Sequence, residues 1–320
     1  MKKIELITRD ELENRFWEYL NERRMPDCFL YLDSSGVKNW LALDRSAEFT
    51  IAAGLTDLLR QSLDSIAKHV SGRLDVFSIG VGSGEKERML LQALLPRCQP
   101  SYYAVDISSQ MVNEALYAAA DLDLDKTGIV AFLEDLPSLR EFWHRPVLLC
   151  LLGNNFCNYE PDYLLESVAG QLEPGDLFLF DCHLLPQASP TKGSGAAQVE
   201  RTYRSPLNVH FNIDPLLRRG LEWGSCNFRL ELLPVATDRG EVYRTSKRLE
   251  ILKNSVISDG RHKVSLAAGE TIRLGFTYKY TAAQVEEYLE RHGFNIVERY
   301  LSPDGDNLLA LVGKPPVQVK

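Results

Sequence analysis

From residue 75 onward the chain alternates between short unbroken apolar runs and segments whose apolar residues recur at helical spacing. Residues 75–81 (DVFSIGV) predict a strand, and 85–95 (EKERMLLQALL) a helix. A second strand follows at 101–107 (SYYAVDI) and a second helix at 109–120 (SQMVNEALYAAA). Three more apolar strands are predicted at 128–133, 146–152 and 177–183. The helix-like stretch 161–172 opens with a proline in its first turn and stops at "EPGD". Repeated strand–helix–strand units with near-continuous apolar strands imply a parallel sheet covered on both faces.

After residue 185 the pattern changes. "LLPQASPTKGSGAAQ" is rich in Pro, Gly and Ser and predicts a mobile loop over 186–198. From about 200 to 275 come helix-like pieces and then alternating strands such as "RLEILKNSVI" and "HKVSLAAGETIRLGF", which predict antiparallel pairing. The earlier style returns in an amphipathic helix over 281–292 that Gly293 can close, followed by strands at 294–300 and 307–313. A doubly wound domain interrupted by an insertion is the organisation this implies. Its boundaries are expected at 53–185 plus 275–320 for the first domain, and 1–52 plus 186–274 for the second.

Composition narrows the function. The 320 residues carry a net charge of −8, with 45% hydrophobic and 25% charged residues. An acidic chain argues against nucleic acid or an anionic membrane as partner, because both select a basic face. Six cysteines without a C-x-x-C pair, no apolar leader and no long apolar run predict a reduced, cytoplasmic protein. The six histidines lack ligand spacing, so no metal is expected. Oligomeric state leaves no mark on the sequence.

The first strand ends in "VFSIGVGSGEK", residues 76–86. Gly80, Gly82 and Gly84 stand at its carboxyl end and lead directly into a helix, where open α/β sheets bind ligands. Glycine permits both a tight turn and the close approach of a ligand. Asp106 ends the second strand, where a carboxylate can accept from both ribose hydroxyls of a nucleoside. The loop lacks the G-K-[ST] of a phosphate-binding loop. Its helix also begins with Glu85-Lys86, which suits a pyrophosphate poorly. Dinucleotide and S-adenosylmethionine sites share this plan, and the methionine-tailed nucleoside fits better. Five strands, a last helix and a terminal strand pair also match the seven-stranded methyltransferase sheet, in which one strand is reversed.

Five stretches in order, "IGVGSGEKERMLLQALL", "YYAVDIS", "LLGNNFCNYEP", "RTYRSPLNVHFN" and "GETIRLGFTYKY", resemble the histidine-specific methyltransferase family. That family includes ergothioneine-pathway histidine N-methyltransferases and fungal enzymes that N-methylate a prenylated tryptophan. The resemblance implies a Rossmann-like, S-adenosylmethionine-dependent methyltransferase fold with a mostly parallel sheet and an inserted α+β substrate domain. It implies that Gly80 and Lys86 contact the cofactor, that Asp106 holds its ribose, and that Asp135 and Leu136 lie along its adenine. Gly153, Asn158, Tyr203 and Thr277 fall on the substrate side, with Tyr203 and Asn158 holding the amine for attack.

Plainer roles stand beside these. Asp106 could cap a helix, Lys86 could be a solvated first-turn residue, Asn158 could cap the helix beginning near Pro161, and Tyr203 could be an ordinary core tyrosine. The chain also departs from the family. Gly275 stands where the family has a glutamate, two residues before the position of Thr277. Ile251 adds a branched apolar wall on the substrate side where a methionine is common, and the N-terminal substrate stretch is reduced to "EFTIAA", residues 48–53. Without the glutamate an imidazole loses its acceptor. The expected activity is therefore N-methylation of the α-amine of an amino acid or derivative with an aromatic or bulky apolar side chain rather than free histidine. A catalytically silent S-adenosylmethionine-binding protein is the alternative, and a nicotinamide-dependent oxidoreductase a weaker third.

Overall fold

The computed structural model describes residues 2–144, 146–185, 194–237 and 240–315. Most of the loop expected at 186–198 therefore lies outside the described residues, and residues from Ser194 onward begin a helix instead. Strand β1 (Lys2–Glu5) leads into helices α1 (Arg9–Asn21), α2 (Ser34–Asp44) and α3 (Thr50–Ile66). The alternating part runs β2 (Gly72–Ile79), α4 (Glu85–Leu94), β3 (Cys98–Asp106), α5 (Ser109–Ala118) and β4 (Lys126–Val130). It continues through α6 (Leu136–Leu139), β5 (Val147–Leu151), α7 (Pro161–Gln171) and β6 (Leu177–His183). Then follow α8 (Ser194–Tyr203), α9 (Pro206–Leu217), β7 (Cys226–Thr237), β8 (Gly240–Ile251), β9 (Ser255–Ser258), β10 (Lys263–Leu266) and β11 (Thr271–Lys279). Helix α10 (Ala282–Arg291) and strands β12 (Asn295–Leu301) and β13 (Asn307–Gly313) complete the described chain.

Two compact units result: Met1–Leu6, Ile51–Gln187 and Tyr280–Lys320 in one, Ile7–Thr50 and Ala188–Lys279 in the other. Two expected boundaries are corrected. Residues 2–5, assigned to the second domain, pair in parallel with Thr127–Val130 at the edge of the large sheet. Residues 275–279, assigned to the first, continue β11 and pair with β8, because a strand extends as far as its ladder finds partners.

The first unit is an eight-stranded sheet in the order β1-β4-β3-β2-β5-β6-β13-β12; the N-terminal strand adds one to the expected seven. Strands β1 to β6 pair in parallel, and β13 runs antiparallel to β6. Strands β5 and β13 are buried throughout, as their continuous apolar runs require. Helix α5 buries Met111, Val112, Ala115 and Leu116, spaced three to four apart along one stripe. It packs closely on β4 because Gly128 has no side chain; a Cβ there would lie 2.4 Å from Val112. The strand order reverses at β2, flanked by β3 and β5, so a crevice opens at the carboxyl ends of β2 and β5.

The second unit holds α1, α2, α8, α9, a three-stranded sheet β11-β8-β7 and the hairpin β9–β10. The ladder of β11 on β8 slips between Arg273 and Phe276, so that Leu274 and Gly275 together oppose the single residue Lys247. Such a bulge reverses which alternate side chains face the interior. Before it Ile272 is buried; after it Thr277 and Lys279 are.

Candidate active site

The glycine loop turns where the sequence places it. Gly80, Gly82 and Gly84 have φ of 72°, 51° and 74°, a region that glycine enters without penalty. At Gly84 a Cβ would also lie 2.5 Å from the Ala115 backbone, so α4 and α5 approach through this residue. Asp106 stands at the end of β3, where its carboxylate accepts from Gly82 N at 3.4 Å and Ser108 N at 2.9 Å. Ser108, not Asp106, caps α5. Burial pushes the Asp106 carboxyl up to about 6. The loop thus offers backbone free of side chains beside a buried carboxylate, a combination suited to the hydroxyls and edge of a nucleoside.

Beneath the loop, Glu87 is enclosed in the first turn of α4 and accepts from Ser78 Oγ at 2.9 Å. Burial raises its pKa to about 7, against the opposing charge of Lys86. The Lys86 ammonium lies 3.6 Å from where a Cβ on Gly153 would stand, and its charge also acts on Asp181. Asp181 is fully buried, accepts from Gly153 N at 2.9 Å and Asn154 N at 2.6 Å, and so shapes the turn after β5. Asn158 ends that turn half-buried; Glu160, rather than Asn158, caps α7. Asp135 accepts from Phe132 N at 2.9 Å. Leu136, expected along the adenine, is fully enclosed and bonds its N–H to Leu133 O, so its side chain serves packing.

Tyr203, Ile251, Gly275 and Thr277 belong to the second unit. Tyr203 is buried, with the Lys279 ammonium 5.7 Å from its ring centroid. Thr277 is buried opposite Thr245. At Gly275 the expectation of empty volume is corrected. A Cβ there would lie 1.7 Å from Asp27 Oδ1, so the carboxylate of Asp27 occupies the space that a side chain at 275 would need. Asp27 also accepts from the buried Lys247 Nζ at 2.8 Å. An acceptor is therefore present, supplied from a segment nearly 250 residues away in sequence. Ile251 is buried on β8 opposite Cys226, four residues beyond Lys247 and about 13 Å from it at the rise of a strand.

Asp27, Lys247 and Asp181 escaped sequence reasoning. Asp181 had a signal, a lone carboxylate in the apolar run "LFLFDCH", because such groups stay buried only when satisfied. Gly275 within a strand pattern signalled a bulge. Nothing local marked Asp27. Among the described residues no cluster of His, Cys, Asp and Glu is placed to hold a metal, and no helix is long and apolar enough to cross a membrane.

A family model described as "Histidine-specific methyltransferase, SAM-dependent" matches residues 11–314. The N-methyltransferase fsqC of Aspergillus fumigatus is 22% identical over 296 residues, covering 88% of this chain and 78% of that one. An S-adenosylmethionine-dependent methyltransferase from Clostridium acetobutylicum is 14% identical with a TM-score of 0.40, covering 82% of this chain and 91% of that one. S-adenosylmethionine-bound CalS10, an amino pentose methyltransferase from Micromonospora echinaspora, is 11% identical with a TM-score of 0.38, covering 86% and 95%.

Proposed function

This chain belongs to the family of histidine-specific, S-adenosylmethionine-dependent methyltransferases, and from that premise we propose that it methylates the α-amine nitrogen of an amino acid or derivative. The observation that carries the reading is the pairing, at the carboxyl ends of β2, β3 and β5, of an open glycine loop and the Asp106 carboxylate with a turn that ends in Asn158. S-adenosylmethionine supplies a methyl group already activated for attack, so the protein's part is to bind and orient. Gly80, Gly82 and Asp106 would hold the cofactor. Lys86 offsets the charge of Asp181 beneath it. The amine must reach the methyl as a free base, since an ammonium has no lone pair. Asn158, with a carbonyl acceptor and an amide donor, would orient it. The relative named as an N-methyltransferase supports nitrogen as the acceptor.

The reason for disfavouring histidine does not carry forward, because Asp27 fills the place where an acceptor was thought missing. Turnover of histidine, tryptophan, tyrosine and phenylalanine, with fragmentation locating the methyl, tests the proposal. Methyl on the amine nitrogen of at least one is expected. Methyl on oxygen or carbon overturns it, and cofactor binding without turnover of any amine supports the silent-binding alternative.

A further inference from the structure

One side chain fastens the carboxyl ends of β2 and β5. Asn155 Nδ2 donates to the carbonyl of Gly80 at 3.0 Å and to that of Leu152 at 2.7 Å. On its other side Gly80 donates its N–H to Val105 O of β3 at 2.8 Å. The first glycine of the loop is thus tied to β3 through its nitrogen and to the β5 turn through its oxygen. A Cβ on Gly80 would lie 2.6 Å from Asn155 Nδ2, so glycine is required for this approach as well as for its φ of 72°.

The turn that carries Asn155 is itself anchored. Asp181 accepts from the amides of Gly153 and Asn154, and Asn154, at φ 66°, accepts through Oδ1 from His183 N at 2.8 Å. Four strand ends, those of β2, β3, β5 and β6, form one hydrogen-bonded set with Asn155 at its centre. The single turn Asn155–Asn158 begins with this clamp and ends with the residue assigned to the amine.

We propose that Asn155 is a positioning residue that couples the cofactor loop to Asn158. Ordering of the loop by the cofactor is transmitted through the Asn155 amide to the turn, and sets Asn158 for its substrate. This rests on the functional reading above, which puts the cofactor at the glycine loop and the amine at Asn158. The amide fits the task because its one NH2 group satisfies two carbonyls at once; an aspartate of equal size would bring an acceptor against both.

The test is calorimetry and hydrogen exchange with S-adenosylhomocysteine on the wild type, Asn155→Ala, Asn155→Asp and Asn155→Ser. In the wild type, binding should protect the amides of 80–84 and of 155–160 together. In Asn155→Ala and Asn155→Asp, affinity should fall roughly tenfold, as for the loss of paired hydrogen bonds. Protection should persist at 80–84 and vanish at 155–160. Asn155→Ser, retaining one donor, should fall between, and serves if the aspartate variant does not fold. With a turned-over amine, the variants should lose kcat more than they raise KM. Retained protection of 155–160 with affinity within about twofold of wild type overturns the coupling alone. A wild type that binds no S-adenosylhomocysteine overturns the functional reading instead.

Discussion

In the first unit, strands β5 and β13 are buried along their whole length, and the buried carboxylates Asp106 and Asp181 accept from backbone amides of the loop and turn at strand ends. In the second, the buried face of a three-stranded sheet itself carries Thr245, Lys247, Thr277 and Lys279. Carboxylates set near strand ends draw their hydrogen bonds from the amides of the adjoining loop and turn. Chemistry placed on a sheet face must find its compensation inside the fold, and Asp27 against Lys247 is that compensation. The antiparallel pairing of the second unit was legible in the sequence, but the polar contacts on its sheet face were not.

The largest test of this contrast concerns a carboxyl of the first unit buried within a helix turn, Glu87. Its carboxyl is pushed from 4.5 to about 7 by burial, so the folded protein holds this proton more tightly than the unfolded chain. The stability it contributes is complete below about pH 4.5, declines as pH rises and is gone above about 7. A loss of about 3 kcal/mol across that window is expected from denaturant titrations, and Glu87→Gln should flatten the profile. An unchanged profile in the variant would place the titration elsewhere.

Asp106→Ala should weaken S-adenosylmethionine binding by about 2 kcal/mol. The wild-type affinity should fall as pH drops through about 6, where the carboxylate takes up its proton. Calorimetry at several pH values measures both effects, and a pH-independent affinity would remove Asp106 from the ribose.

In the second unit, Gly275→Ala should destabilise by about 2 kcal/mol, since its Cβ collides with Asp27. In an Asp27→Ala background the same change should be nearly neutral. Additivity of the two would show that Asp27 does not fill that space. The smallest effect is expected at Ile251. Ile251→Val should cost about 1 kcal/mol of stability and leave the order of preferred amines unaltered. A shift in that order would return Ile251 to the substrate side.

The element order of the first unit, its parallel sheet and its glycine loop were determined by sequence alone, while its reversed last strand followed from the likeness to the methyltransferase sheet. The signals are local: apolar runs of strand length, helical spacing, and glycines where φ must be positive. Asp106 was readable because it closes a strand that the pattern already defined. Tertiary structure alone decided that Lys2–Glu5 joins the large sheet, since four residues carry no periodicity until β4 offers a partner. It alone placed Asp27 in the space at Gly275, and Asn155 on the carbonyl of Gly80. Those contacts join residues far apart in the chain, and a side chain's hydrogen-bond partner is a property of the folded backbone around it, not of its neighbours in sequence.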